Sequence, residues 1–210
     1  MFCPTMPGDE PFAQIVKSGL AVAAVDYRLS HEAVFPAQLH DVATAVAWLR
    51  ANASELEIDA TRVVLWGESA GATIAALVGL DPVCDVAGIV DWYGPADLVE
   101  LSHSLGQSAD PTSREAGWLG APVGTDEGRA RSASPLHHIH AGAPPVSIAH
   151  GLADEAVPVA QSIRFAEALR QAGVPVDLQL VEGAGHMWHG DVDRDVLLES
   201  GIAFARRVLR

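Results

Sequence analysis

Gly67-Glu68-Ser69-Ala70-Gly71 follows the β-branched run Arg62-Val63-Val64-Leu65-Trp66 and opens the helix-forming run from Ala70 to Val78. A strand that turns directly into a helix through a serine needs a strained backbone at that serine. Small residues two positions before and after it let the two elements approach closely. Ser69 then stands at a helix N-terminus, where the N–H of Ala70 and the positive end of the helix dipole face any negative charge that develops on a bound group. The stretch predicts a strand, a sharp turn and a helix, with a hydroxyl displayed at the C-terminal end of the strand.

Two further stretches supply partners for that hydroxyl. Pro144 to Ala149 reads as a buried strand and His150-Gly151-Leu152-Ala153-Asp154 follows it, so Asp154 lies just beyond a strand end. Val176 to Val181 reads as the next strand, and Glu182-Gly183-Ala184-Gly185-His186 is a glycine-rich loop that ends in histidine. In open α/β sheets, ligands and reactive groups gather at the C-terminal strand ends, which is where Ser69, Asp154 and His186 are all predicted to lie. A neutral serine hydroxyl is a weak nucleophile at neutral pH and needs an imidazole to take its proton, while a carboxylate orients the ring and supports its charged form. Asp154 competes for the carboxylate role with its neighbour Glu155 and with Asp97, and His186 competes with His189.

The whole chain alternates. Apolar runs at 20–26, 62–66, 86–91, 145–150 and 176–181 read as parallel strands, and helical patterns fall at about 11–18, 36–53, 70–79, 159–172 and 191–208. This predicts a single α/β domain over residues 1–210, with a mostly parallel sheet of about five strands and helices on both faces. Residues 95–135 break the alternation with glycines, prolines and weak periodicity, and are expected to form a wall or lid over Ser69.

The chain resembles the α/β-hydrolase esterases of the hormone-sensitive-lipase-like and bimodular-feruloyl-esterase-like group. The resemblance runs from about Pro11 to the C-terminus. It rests on Val25-Asp26-Tyr27-Arg28-Leu29-Ser30, Phe35-Pro36-Ala37-Gln38-Leu39-His40-Asp41, Gly67 to Gly71, Asp91-Trp92-Tyr93-Gly94-Pro95-Ala96-Asp97-Leu98, His150 to Asp154 and Gly185-His186, in that order. It implies hydrolysis of a small-molecule carboxylic ester through an acyl-enzyme, with Ser69, His186 and Asp154 as the triad, Ala70 as an oxyanion donor, and neither metal nor organic cofactor. An amide-cleaving relative of the arylformamidase type, and a catalytically impaired chain serving as a binding or assembly module, are the alternatives. Glu68, Trp92, Tyr93, Trp118 and Trp188 are candidate pocket residues, each with plain packing or a structural hydrogen bond as the competing reading.

One departure from that group concerns the N-terminus. Such esterases carry a His-Gly-Gly motif upstream of the Asp-Tyr-Arg-Leu stretch, and nothing of the kind precedes Asp26 here. The group's first three strands are thus expected to be missing, including the one that lies between the 20–26 and 62–66 strands. Five buried backbone groups left unpaired at about 1–3 kcal/mol each would rival a domain's net stability of about 5–15 kcal/mol. Either the two strands close up, or another chain fills the gap, or the sequence is an N-terminally truncated piece of a longer product. The last is the preferred expectation.

Composition fits this reading. With 210 residues and 49% hydrophobic content the chain can bury one sizeable core. A formal net charge of −14 argues against nucleic acid or an anionic membrane as partner. Cys3 and Cys84 are too few for a disulfide framework, and His137-His138-Ile139-His140 lacks a carboxylate or cysteine at ligand spacing. The 12–25 stretch is interrupted by Gln14, Lys17, Ser18 and Gly19, so it reads as neither signal peptide nor membrane span, and a cytoplasmic location is the expectation.

Overall fold

The β-branched run before Ser69 forms β1, Val64–Glu68, and Ser69 itself caps α3, Ala70–Leu80; α1 (Glu10–Lys17) and α2 (Ala37–Ala51) precede them. The computed structural model describes residues 10–210. The remaining regular elements are β2 (Gly88–Trp92), α4 (Leu98–Ser104), α5 (Arg114–Leu119), α6 (Glu127–Ser132), β3 (Val146–Gly151), α7 (Ala160–Gln171), β4 (Val176–Val181) and α8 (Arg194–Val208). Among the described residues the sheet has four strands in the order β1-β2-β3-β4, all parallel. Chain order equals spatial order because each crossover is made on the same face in the same sense, which adds every new strand on the same side.

That face is built from α2, α3 and α7. Ile89, Val146 and Ile148 meet Ala76 and Leu80 of α3 and Phe165, Ala166 and Leu169 of α7, while Leu65 meets Ile74 and Val78 together with Val42 and Val46 of α2. Nine of the eleven residues of α3 are buried, which fits its all-round apolar sequence: it is a central helix, enclosed rather than amphipathic. The alternate strand residues point to the opposite face, where Val90, Trp92 and Ala149 pack under Leu197, Leu198, Ile202 and Phe204 of α8. Truncating a side chain as enclosed as Phe165 or Leu169 would cost about 2–5 kcal/mol.

The predicted strand at 20–26 does not join the sheet. Residues 21–24 are exposed, and residues 20–25 make no backbone ladder with any described residue, although Val25 and Tyr27 rest against the α2–α3 cluster. The strand expected there is not formed: an apolar run becomes a strand only when a neighbour takes its N–H and C=O groups, and none of the described residues does so here. Among the described residues the sheet therefore has four strands where about five were expected, and β1 forms an edge. The segment is tied down just afterwards, where Arg28 donates to both carboxylate oxygens of Asp41 on α2 through its side chain and to one through its backbone N–H.

Residues 95–135 are more regular than their sequence suggests. α4, α5 and α6 lie within them, each started by a side-chain cap: Asp97 accepts from the N–H groups of Val99 and Glu100, Ser113 from Ala116, and Asp126 from Arg129. Helices of six or seven residues are too short to show a period, so caps were the legible signal.

Candidate active site

Ser69 sits at φ 51°, ψ −121°, a conformation that costs a non-glycine residue strain. Its N–H donates to the Trp92 carbonyl at 2.9 Å, so the β1–β2 ladder continues one step past the strand and holds the turn. A Cβ on Gly67 would lie 2.2 Å from the Gly71 carbonyl oxygen, so the strand-to-helix crossing admits only glycine there. Ala70 is the first residue of α3, where a backbone N–H has no acceptor within the helix.

The other two loops are bound to the sheet in the same way. The Leu152 N–H donates to Val181 O at 2.9 Å and the Ala153 N–H to Ala184 O at 2.9 Å, which clamps the loop after β3 against the loop after β4. Gly151 is required at that contact, because a Cβ would stand 2.2 Å from Ala184 O. The clamp brings three side chains together: Ser69 Oγ lies 3.0 Å from His186 Nε2, and His186 Nδ1 lies 2.7 Å from Asp154 Oδ2. His186 is the histidine that reaches Ser69; His189 contributes its carbonyl to the Gly185 N–H at 2.7 Å.

Asp154 is buried. Burial by itself raises a carboxyl, but hydrogen bonds from His150 and His186 and from the Val157 N–H together outweigh it and hold Asp154 well below the usual carboxylate range. Its Oδ1 accepts from the N–H groups of Ala156 and Val157 at 2.9 and 2.8 Å. The competing acids stand elsewhere: Glu155 is exposed, and Asp97 caps α4 and faces Arg164 at 3.7 Å.

The aromatic candidates are packed rather than open to solvent. Trp66, Trp92 and Trp188 form an edge-to-face row with centroids 5.2 and 5.4 Å apart, and Trp92, Tyr93 and Trp188 are at most 3% exposed. Tyr93 has its ring 5.0 Å from that of His186 and donates its hydroxyl to Glu68 Oε2 at 2.9 Å, so Glu68 and Tyr93 brace the His186 ring from beneath. Trp118 donates Nε1–H to Gln38 Oε1 at 2.9 Å and meets Phe35 edge-on at 5.5 Å, fastening α5 to α2. The histidine tract splits: His138 bonds the Ser132 carbonyl, His140 bonds the Leu80 carbonyl, and His137 turns toward Asp97.

One residue of the site escaped the sequence reading. His150, at the end of β3, is fully buried and lies 3.2 Å from Asp154 Oδ2. Its spacing of four from Asp154 was visible, but nothing in the sequence distinguishes such a histidine from an ordinary core residue.

A parallel sheet sandwiched by helices, with serine, aspartate and histidine in that chain order on the loops after β1, β3 and β4 at its C-terminal edge, defines the α/β-hydrolase fold. Comparison with known proteins gives the family: the chain belongs to the BD-FAE family, whose model matches residues 6–169. Esterase LipQ of Mycobacterium tuberculosis is 31% identical over 186 residues, covering 80% of this chain and 44% of LipQ. The chain spans about half the length of the curated relatives it matches. Among solved structures, a truncated form of a carbohydrate esterase from gut microbiota superposes with a TM-score of 0.86 at 26% identity, over 94% of this chain and 77% of the other. A bifunctional GH43-CE protein of Bacteroides eggerthii gives 0.87 at 26% identity over all of this chain and 32% of the other. No helix among the described residues is long and apolar enough to cross a membrane.

Proposed function

We propose that this chain cleaves carboxylic esters through an acyl-enzyme formed on Ser69. The reading is carried by the unbroken line from Ser69 Oγ through His186 to Asp154, at 3.0 and 2.7 Å, set at the head of α3. In this scheme Oγ attacks the ester carbonyl carbon as His186 Nε2 takes its proton, and the oxyanion forms beside the Ala70 N–H. Collapse of the tetrahedral intermediate breaks the bond to the alcohol, to which His186 returns the proton. Water then repeats the sequence at the acyl carbon and releases the acid. Asp154 stays ionised throughout, fixing the ring so that Nε2 faces Ser69 and stabilising the imidazolium. Every role is filled by a side chain or a backbone N–H, so chelators are expected to leave turnover unchanged.

The proposed substrate is a short or aromatic acyl group on a sugar hydroxyl, supported by the resemblance to proteins described as carbohydrate esterases. Residues 95–135 are proposed to wall the acyl or alcohol side, supported by the way Trp118 and Phe35 anchor them beside α2. Trp92, Tyr93 and Trp188 are proposed to serve by packing under the His186 loop, in keeping with their burial.

A fluorophosphonate is expected to add to Ser69 alone, and Ser69→Ala to abolish both labelling and ester turnover. Labelling that persists in Ser69→Ala would sink this assignment. A panel of acylated sugars, simple aryl esters and formanilides reads the substrate class. Faster cleavage of the amides would favour the amide-cleaving alternative, and an inert Ser69 in the folded chain would favour a binding module.

A further inference from the structure

Asp154 has a second imidazole. His150 is the penultimate residue of β3, with its ring wholly buried, Nδ1 2.6 Å from Ser162 Oγ on α7, and Nε2 2.8 Å from the Val157 carbonyl and 3.2 Å from Asp154 Oδ2. A carbonyl oxygen can only accept, so Nε2 carries a proton; the neutral ring then has a lone pair on Nδ1, and the Ser162 hydroxyl donates to it. The Nε2–H is shared between Val157 O and Asp154 Oδ2, the same oxygen that takes the His186 Nδ1–H.

We propose that His150, held in its Nε2–H tautomer by the Val157 carbonyl, with Ser162 donating to Nδ1, is a positioning residue that fixes Oδ2 of Asp154 toward His186. This rests on the reading of Ser69, His186 and Asp154 as the acyl-transfer machinery. The carboxylate then has four donors, two backbone N–H groups on Oδ1 and two imidazoles on Oδ2, which fills its accepting capacity. Val157 closes the device, since its N–H donates to Asp154 while its carbonyl accepts from His150, so the ring and the 154–157 turn hold each other. Without His150, one oxygen stays anchored and the other is held only by the ring it is meant to orient. Ser162 sits in the first half of α7, and the pair thereby ties the geometry of the acid loop to the helix packed beneath it.

The test uses proton and nitrogen NMR of the intact chain, with kinetics alongside. In the parent, His150 is expected to show the Nε2–H tautomer and His186 a low-field, slowly exchanging Nδ1–H. His150→Phe keeps a ring but removes the donor. It is expected to broaden that low-field signal, speed its exchange by at least about tenfold, and lower kcat by about tenfold at unchanged KM, the size expected for one hydrogen bond to a charged group. His150→Gln, whose amide N–H can reach the same acceptors, is expected to restore most of both. Loss of thermal stability in His150→Phe with the signal and kcat intact would make His150 merely structural and overturn the proposal, as would failure of His150→Gln to restore them. If His150→Phe does not fold, the parent decides: an Nδ1–H tautomer overturns the proposal. Absence of ester turnover in the parent would fail the functional reading alone, because the NMR signatures do not depend on it.

Discussion

Asp91 lies in β2 with its side chain enclosed, accepting from the Gly94 N–H at 2.8 Å. Burial pushes its carboxyl up to about 6, only partly countered by the hydrogen bond from the Gly94 N–H. A raised carboxyl binds protons in the folded state that it has lost in the unfolded one. Stability therefore falls as pH rises from about 4, the ordinary value, through about 6, and is level above that. At about 1.4 kcal/mol per unit, the loss amounts to roughly 3 kcal/mol. Asp154 acts with the opposite sign, because its carboxyl is held low: its contribution is complete above the ordinary range and is lost as pH falls well below it. Asp91→Asn keeps an acceptor for Gly94 and removes the charge. Urea unfolding is expected to find the variant up to about 3 kcal/mol more stable than the parent at pH 8 and close to it near pH 4. A variant less stable at pH 8 would mean that the ionised carboxylate is needed where it stands.

At the scale of elements, β1 is half paired. Successive residues of a strand present their N–H and C=O to alternate sides. The bonds from Ala87 N–H to Val63 O and from Ser69 N–H to Trp92 O show that the odd positions face β2. Val64 and Trp66 accordingly direct their backbone groups to the edge that no described residue pairs. Amide hydrogen exchange is expected to alternate along β1, with Leu65 and Gly67 protected and Val64 and Trp66 exchanging much faster. Protection of all four in a dilute sample would mean that the edge is covered in solution. Closer to the core, Trp188→Ala would remove the end of the indole row and the support of the His186 loop together, at about 3–5 kcal/mol of stability. Thermal unfolding and ester turnover, measured in parallel, should both fall.

For the molecule as a whole, the open edge borders the turn that carries Ser69. The elbow offers the Ala70 N–H to an oxyanion, and losing one donor from such a site typically lowers kcat by about 10² to 10³. The chain covers 44% of LipQ, and we expect LipQ, assayed beside it, to turn over a short activated ester faster than the 210-residue chain by about that factor. Equal turnover would overturn this and would mean that residues 1–19 or 95–135 supply the further donors.

Local chemistry made much of the protein legible. The turn at Ser69, the alternation of β-branched runs with helical periods, and the position of Asp154 and His186 just past strand ends are all written in neighbouring residues, and the elements they predict fall within a few positions of those observed. Residues 20–26 show where that stops. Their sequence specifies an extended backbone, and whether such a backbone becomes a strand depends on a neighbour that lies elsewhere in the chain or outside it. Tertiary structure alone decided that Trp92, Tyr93 and Trp188 are buried supports, because an aromatic beside a loop can turn to either face of the sheet. It also brought His150 to Asp154. That contact depends on a turn closing through Val157 and on a hydroxyl from α7, distances set by packing that no stretch of sequence contains.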